Sequence, residues 1–134
     1  MFVHLETQSN SLFERVGGEV FFTSLVERFY QGVESEPILR PLYPHDLAPP
    51  KRHLALFLVQ YWGGPHTYSA ERGHPRLRMR HVRFRIGLNE RDAWLRHMRT
   101  AVESSDASAT DKGALMNYFE HAATSLLNHP DSSL

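Results

Sequence analysis

The densest chemistry in the chain lies between Tyr61 and Arg85, in the run YWGGPHTYSAERGHPRLRMRHVRFR. Six arginines, Arg72, Arg76, Arg78, Arg80, Arg83 and Arg85, fall within fourteen residues there. Such a run reads in three ways: a solvated basic segment, a strip that binds phosphate or nucleic acid, or a cradle for a dianionic cofactor. In the last case guanidinium forks meet carboxylates. Leu77, Met79, Val82 and Phe84 interleave with the arginines, and an apolar cofactor bearing carboxylates suits that mixture.

His81 sits inside this segment. A lone histidine is more often structural or exposed than a ligand. Yet neutral imidazole is the usual proximal ligand of haem iron, and its ordinary pKa of about 6.5 leaves it available at neutral pH. Nearby arginines further disfavour the charged imidazolium. Tyr30 and Trp94 fall on apolar helix stripes. A buried phenol or indole needs a partner for its O–H or N–H. Backbone carbonyls are the ordinary partners; a ligand in a shared pocket is the alternative.

Positioning these groups falls to helices. Val26, Phe29, Tyr30 and Val33 recur at i, i+3, i+4 and i+7, after the break at Gly17-Gly18. Leu54, Phe57, Leu58 and Tyr61 form a second stripe, opened by Pro49-Pro50 and closed by Gly63-Gly64-Pro65. A third helix is expected from about Glu90 to Val102, capped by Asn89, with Trp94, Leu95, Met98 and Val102 inward. A fourth is expected from about Asp111 to Leu127, capped by Thr110 or Ser108. Its stripe is Leu115, Tyr118, Phe119, Ala122, Ala123 and Leu126. The class is all-α. Two long connections, 32–52 with five prolines and the basic 63–86, are of the kind that is functional or ordered by a partner.

Composition narrows the rest. A length of 134 residues suits one domain, and zero formal charge gives no global field toward nucleic acid or an anionic membrane. With no cysteine there are no disulfides, thiolate metal sites or cysteine nucleophiles. No secretory pattern opens the chain, and no run approaches the roughly 18 apolar residues of a membrane helix. A cytoplasmic location is the expectation.

Three stretches carry a resemblance. They are Tyr61-Trp62-Gly63-Gly64-Pro65, then Arg72-Gly73-His74-Pro75-Arg76-Leu77-Arg78-Met79-Arg80-His81, then Arg91-Asp92-Ala93-Trp94-Leu95. In that order, with the glycine pairs at 17–18 and 63–64, they resemble the truncated (two-over-two) haemoglobins, most closely the group II branch of actinobacteria. The likeness spans roughly Ser11 to Asn128. It implies a globin-like two-over-two helical sandwich around haem b, with residues 11–128 as the domain, 1–10 a flexible extension and 129–134 a frayed tail. It also implies His81 as the proximal iron ligand, with Tyr30, Tyr43 and Trp94 as distal hydrogen-bonding residues. Leu54, Phe57 and Leu58 would face the cofactor from the distal helix, and Leu77, Arg78, Arg80 and Phe84 would meet its proximal face and propionates. Between Tyr43 and Leu54 the chain is one residue shorter than the family pattern, which brings the gate position to Pro50. His53 is expected at an edge or on the surface.

The resemblance implies reversible dioxygen binding at ferrous iron under strong distal hydrogen bonding. That favours redox or detoxifying chemistry, either nitric oxide dioxygenation or peroxidase-like turnover. The alternative is non-catalytic oxygen binding, storage or sensing. The expected partners are dioxygen and other diatomic ligands, with an unidentified reductase where turnover needs electrons, and neither nucleic acid nor membrane.

Overall fold

A computed structural model describes residues 11–129; the expected extension 1–10 and the tail beyond His129 lie outside them. Seven α-helices occur among the described residues: α1 (Leu12–Val16), α2 (Glu19–Glu34), α3 (Ala48–Tyr61), α4 (Thr67–Arg72), α5 (Leu77–His81), α6 (Leu88–Glu103) and α7 (Ala109–Ser125). A single 3-10 turn, Arg40–Leu42, interrupts the proline-rich connection, and no described residue is in a strand.

The four long helices form two pairs. α2 packs on α3, α6 packs on α7, and α2 also packs on α6. The apolar stripe of α2 supplies Phe22, Leu25, Val26, Phe29 and Val33, all fully buried. They meet Leu58 of α3, Met98 and Val102 of α6, and Leu115 and Phe119 of α7 in one cluster. Each such side chain contributes about 1.5–3 kcal/mol on burial, so this cluster sets the frame on which the cleft is built.

Helix boundaries follow local chemistry. Gly17 at φ +106° and Gly18 at φ +80° adopt conformations that an L side chain resists, and the chain turns there between α1 and α2. Asp46 accepts from the Ala48 N–H at 3.0 Å, and Pro49 and Pro50 occupy the first turn of α3, where no N–H is required. Ser108 caps α7 by accepting from the Asp111 N–H at 3.1 Å. The expected cap of α6 is corrected. That helix begins at Leu88, before Asn89, with Gly87 at the N-cap, because the Glu90 carboxylate reaches back to the Gly87 N–H at 2.8 Å.

The basic connection holds two short helices, α4 and α5, and no residue from Gly73 to Ile86 is buried. Asn128 secures its far end. The Asn128 side-chain amide donates to the Phe84 carbonyl at 2.8 Å and the His81 carbonyl at 3.3 Å, and its oxygen accepts from the Ile86 N–H at 2.8 Å. The backbone N–H groups of Asn128 and His129 both donate to the Ile86 carbonyl.

Candidate functional site

A cleft of about 380 Å³ lies between the two helix pairs and the basic connection. Tyr30 of α2, Tyr43 after the 3-10 turn and Trp94 of α6 all line it, as do Leu54, Phe57 and Leu58 of α3. Leu77 and His81 of α5 and Phe84 beyond it complete the wall formed by the basic connection. The structure therefore brings together ten of the expected site residues, Arg80 included. Arg78 is not among them; its Nε donates instead to the Ser125 carbonyl at the end of α7, at 3.2 Å.

His81 Nδ1 lies 2.6 Å from the Leu77 carbonyl oxygen. A carbonyl can only accept, so Nδ1 carries a proton and Nε2 is the nitrogen left for a metal. This one-turn bond within α5 fixes both tautomer and ring orientation, as the outer contacts of a metal-binding imidazole do. Leu77 and His81, four residues apart, share a helix face toward the cleft. Met79 and Val82, which alternate with the arginines in sequence, instead stand 64% and 71% exposed.

The polar groups converge elsewhere in the cleft. Tyr43 stands beside both the Trp94 indole and the Tyr30 phenol, and the Tyr30 and Tyr43 rings meet edge to face at 5.5 Å between centroids. Burial pushes the Tyr43 phenol up to about 12, although Trp94 and Tyr30 beside it act against that rise. Burial raises the Tyr30 phenol further still, with Tyr43 adding to the effect. All three groups are thus neutral donors at physiological pH. Phe29 and Phe119 hold the indole between them, at 4.9 and 5.6 Å.

Charge gathers at the side formed by α4 and α5. Arg80 donates from Nε to the Pro75 carbonyl at 2.7 Å and from Nη2 to the Arg72 carbonyl at 2.9 Å, which stitches the turn between the two helices. Arg72 places Nη1 2.7 Å from His53 Nε2, and its own Nε is buried without a partner among the described residues. His53 is half-buried at the rim of the cleft. Desolvation, then Arg72, lowers its pKa and keeps it neutral as an acceptor. Sequence reasoning did not place Tyr68, Ile86 or Arg91 on the wall; it gave Arg72 only as one of six arginines of a possible cradle, and His53 stands at the expected edge.

An apolar slot, one imidazole oriented through Nδ1, three clustered donors and an arginine with an unpaired buried N–H suit a flat apolar metal complex bearing carboxylates. Among the described residues no three His, Asp or Glu side chains gather to hold a metal ion by themselves. A wider depression of about 830 Å³ runs between α2 and the start of α3, but it mixes Glu27, Asp46, Lys51 and Arg52 with no comparable convergence.

The comparisons agree with this chemistry. Residues 11–128 match the family model described as bacterial-like globin. The chain is 37% identical over 123 residues to the group 2 truncated hemoglobin YjbI of Bacillus subtilis, covering 92% of each. It is similar to the thermostable hemoglobin of the actinobacterium Thermobifida fusca at 52% identity and TM-score 0.88, covering 91% of this chain and 100% of that one. A truncated oxygen-avid haemoglobin from Bacillus subtilis superimposes at TM-score 0.84 with 38% identity, over 89% of this chain and 100% of the other.

Proposed function

Because the chain belongs to the bacterial-like globin family, among the group II truncated haemoglobins that use haem b to bind oxygen, we propose that its cleft holds dioxygen tightly for redox chemistry rather than for delivery. Haem b, when bound, supplies an iron that takes a diatomic ligand and exchanges electrons with it. His81 would ligate that iron through Nε2, held in register by its bond to Leu77. Leu54, Phe57, Leu77 and Phe84 would enclose the apolar ring system, and Arg72 and Arg80, which line the same cleft, offer cationic charge for its carboxylates.

The observation that carries the reading is the gathering of Tyr30, Tyr43 and Trp94 on one wall of a largely apolar cleft. A diatomic ligand that draws negative charge accepts from such donors. Hydrogen bonds to charged groups are worth about 1.5–3 kcal/mol each. Two of them slow ligand escape by roughly 100-fold or more, which opposes a carrier role and fits the oxygen-avid character named for the Bacillus subtilis relative. The same donors polarise an O–O bond, which serves either nitric oxide dioxygenation or peroxidase-like turnover. Leu54, Phe57, Leu58 and Phe119 line the same cleft, and beside such apolar side chains each donor is stronger than in water.

The first test is an absorption spectrum of the haem-loaded protein, ferric, reduced and with carbon monoxide, beside the same series for His81→Ala. A Soret band that shifts at each step and is lost or grossly altered in the variant is the expected result. An unaltered spectrum in His81→Ala would remove that residue from its role. Rapid oxygen release with no consumption of nitric oxide or peroxide would instead favour storage or sensing.

A further inference from the structure

Aromatic rings run unbroken from the cleft to the surface. Trp94 meets Phe119 at 5.6 Å between centroids, Phe119 meets Tyr118 at 5.5 Å, and Tyr118 lies against Tyr61 at 4.2 Å, the two rings tilted by 33°. Trp94, Phe119 and Tyr118 line the cleft, whereas Tyr61 stands outside it and is 51% exposed. The other four tyrosines, Tyr30, Tyr43, Tyr68 and Tyr118, are buried or half-buried.

Phenols and indoles are the side chains that part most readily with one electron in a chain without cysteine. An oxidised phenol must also shed its proton. Tyr118 is poorly placed to do so: burial and the neighbouring Tyr61 push its phenol up to about 12. Tyr61 is in water, where the proton leaves freely. The stable seat for an electron vacancy on this path is therefore the exposed ring.

We propose that Tyr61 is a surface oxidation site, feeding single electrons through Tyr118 toward the cofactor cleft and being refilled there by small phenols or aromatic amines. The proposal rests on the redox reading above, with hydrogen peroxide as the oxidant. Peroxide takes two electrons and two protons and leaves as two waters. For each electron, Tyr118 gives one toward the cleft and regains one from Tyr61. Tyr61 releases its phenolic proton to solvent and becomes a neutral phenoxyl radical. A donor at the exposed ring then returns one electron, with a proton from solvent, so each peroxide oxidises two donor molecules by one electron each.

The test uses ferric holoprotein mixed with an equal amount of hydrogen peroxide and no donor. Three signals are expected: a change in the Soret band, a tyrosyl signal in electron paramagnetic resonance, and a dityrosine-linked dimer seen on denaturing gels and by fluorescence. Tyr61→Phe should lower the dimer at least fivefold while the Soret change keeps its rate. Tyr118→Phe should lower it similarly although Tyr61 is present, and Tyr118→Trp, still able to give an electron, should restore it. A dimer that persists in Tyr61→Phe or in Tyr118→Phe overturns the relay, as does a wild-type Soret change with no dimer. A wild-type Soret band that peroxide leaves unchanged overturns peroxide turnover itself and the relay with it.

Discussion

Gly32 and His97 pack so closely that a Cβ on the glycine would lie 2.3 Å from the imidazole Nδ1 and 2.8 Å from Cγ. This contact joins α2 to α6 two residues beyond Tyr30 and three beyond Trp94. The ring cannot swing away freely, because its Nε2 is 2.8 Å from the Glu36 carboxylate. In Gly32→Ala the gain in helix propensity, about 1 kcal/mol, is set against an overpacking cost of about 1–3 kcal/mol and loss of the Glu36 contact. The variant should melt a few degrees lower, and Gly32→Ala combined with His97→Ala should lose less than the two single changes added together. Thermal unfolding of all four holoproteins checks this; equal melting temperatures for wild type and Gly32→Ala would show that the helices simply part.

Acid should act on the same junction. The hydrogen bond from His97, then that from the Ile38 N–H, with Arg96 beside them, holds the Glu36 carboxyl below its ordinary value. A carboxyl depressed in the folded state contributes stability above its unfolded pKa of about 4.3 and loses it as pH falls through the folded value. Glu36→Gln should be less stable than wild type at neutral pH, and the gap should close as pH falls through the depressed folded value. Urea midpoints across that range provide the measurement. Glu71, lowered by Arg52, keeps some acid slope in the variant.

On the alkaline side the Tyr30 and Tyr43 phenols should hold their protons. With Tyr43 pushed up to about 12 and Tyr30 raised further, dioxygen dissociation should stay flat to about pH 10. A phenol raised in the folded state stabilises below its unfolded value, and this contribution is lost as pH rises through the folded one. Global stability should therefore start to fall above about pH 10.

Replacing Trp94 by phenylalanine should speed dioxygen dissociation at least several-fold, and Tyr43→Phe should do likewise. Because the indole and the Tyr43 phenol are neighbours in the cleft, the double variant should fall short of the product of the two effects. Stopped-flow displacement by carbon monoxide reads all three rates. Fully multiplicative effects would mean that the two groups serve the ligand independently.

Much of this geometry is legible in the residues, and the failures have physical causes. A 3.6-residue period sustained over sixteen positions exposes α2 and α6 at once, and with them Tyr30 and Trp94. The five residues of α1 are too few to show a period. The alternation of Leu77, Met79, Val82 and Phe84 suggests a uniform apolar lining, but the segment coils, so only Leu77 and Phe84 line the cleft. The bond between Arg72 and His53 spans nineteen residues and depends on the closing of α4 on α3, which no local pattern encodes.

Removal of haem should loosen the molecule unevenly. Residues 73–86 bury nothing among themselves, whereas α2 and α6 carry the core. Ligand linkage stabilises most where the ligand supplies the contacts. Hydrogen exchange of the apoprotein should thus accelerate most strongly between Gly73 and Ile86, with α2 near its holoprotein protection. Uniform acceleration throughout would mean that the proximal segment is held by the fold alone.

Asn128 gives the chain a direction in time. The carbonyl of His81 and the amide that ties it are 47 residues apart, and a ribosome delivers the first long before the second. A nascent chain that has exposed His81 but not Asn128 has the proposed ligand without the clasp that ties its carbonyl. A cleavage that removes Asn128 would return the end of the basic connection to that untied state, with the Phe84 carbonyl and the Ile86 N–H losing the same partner.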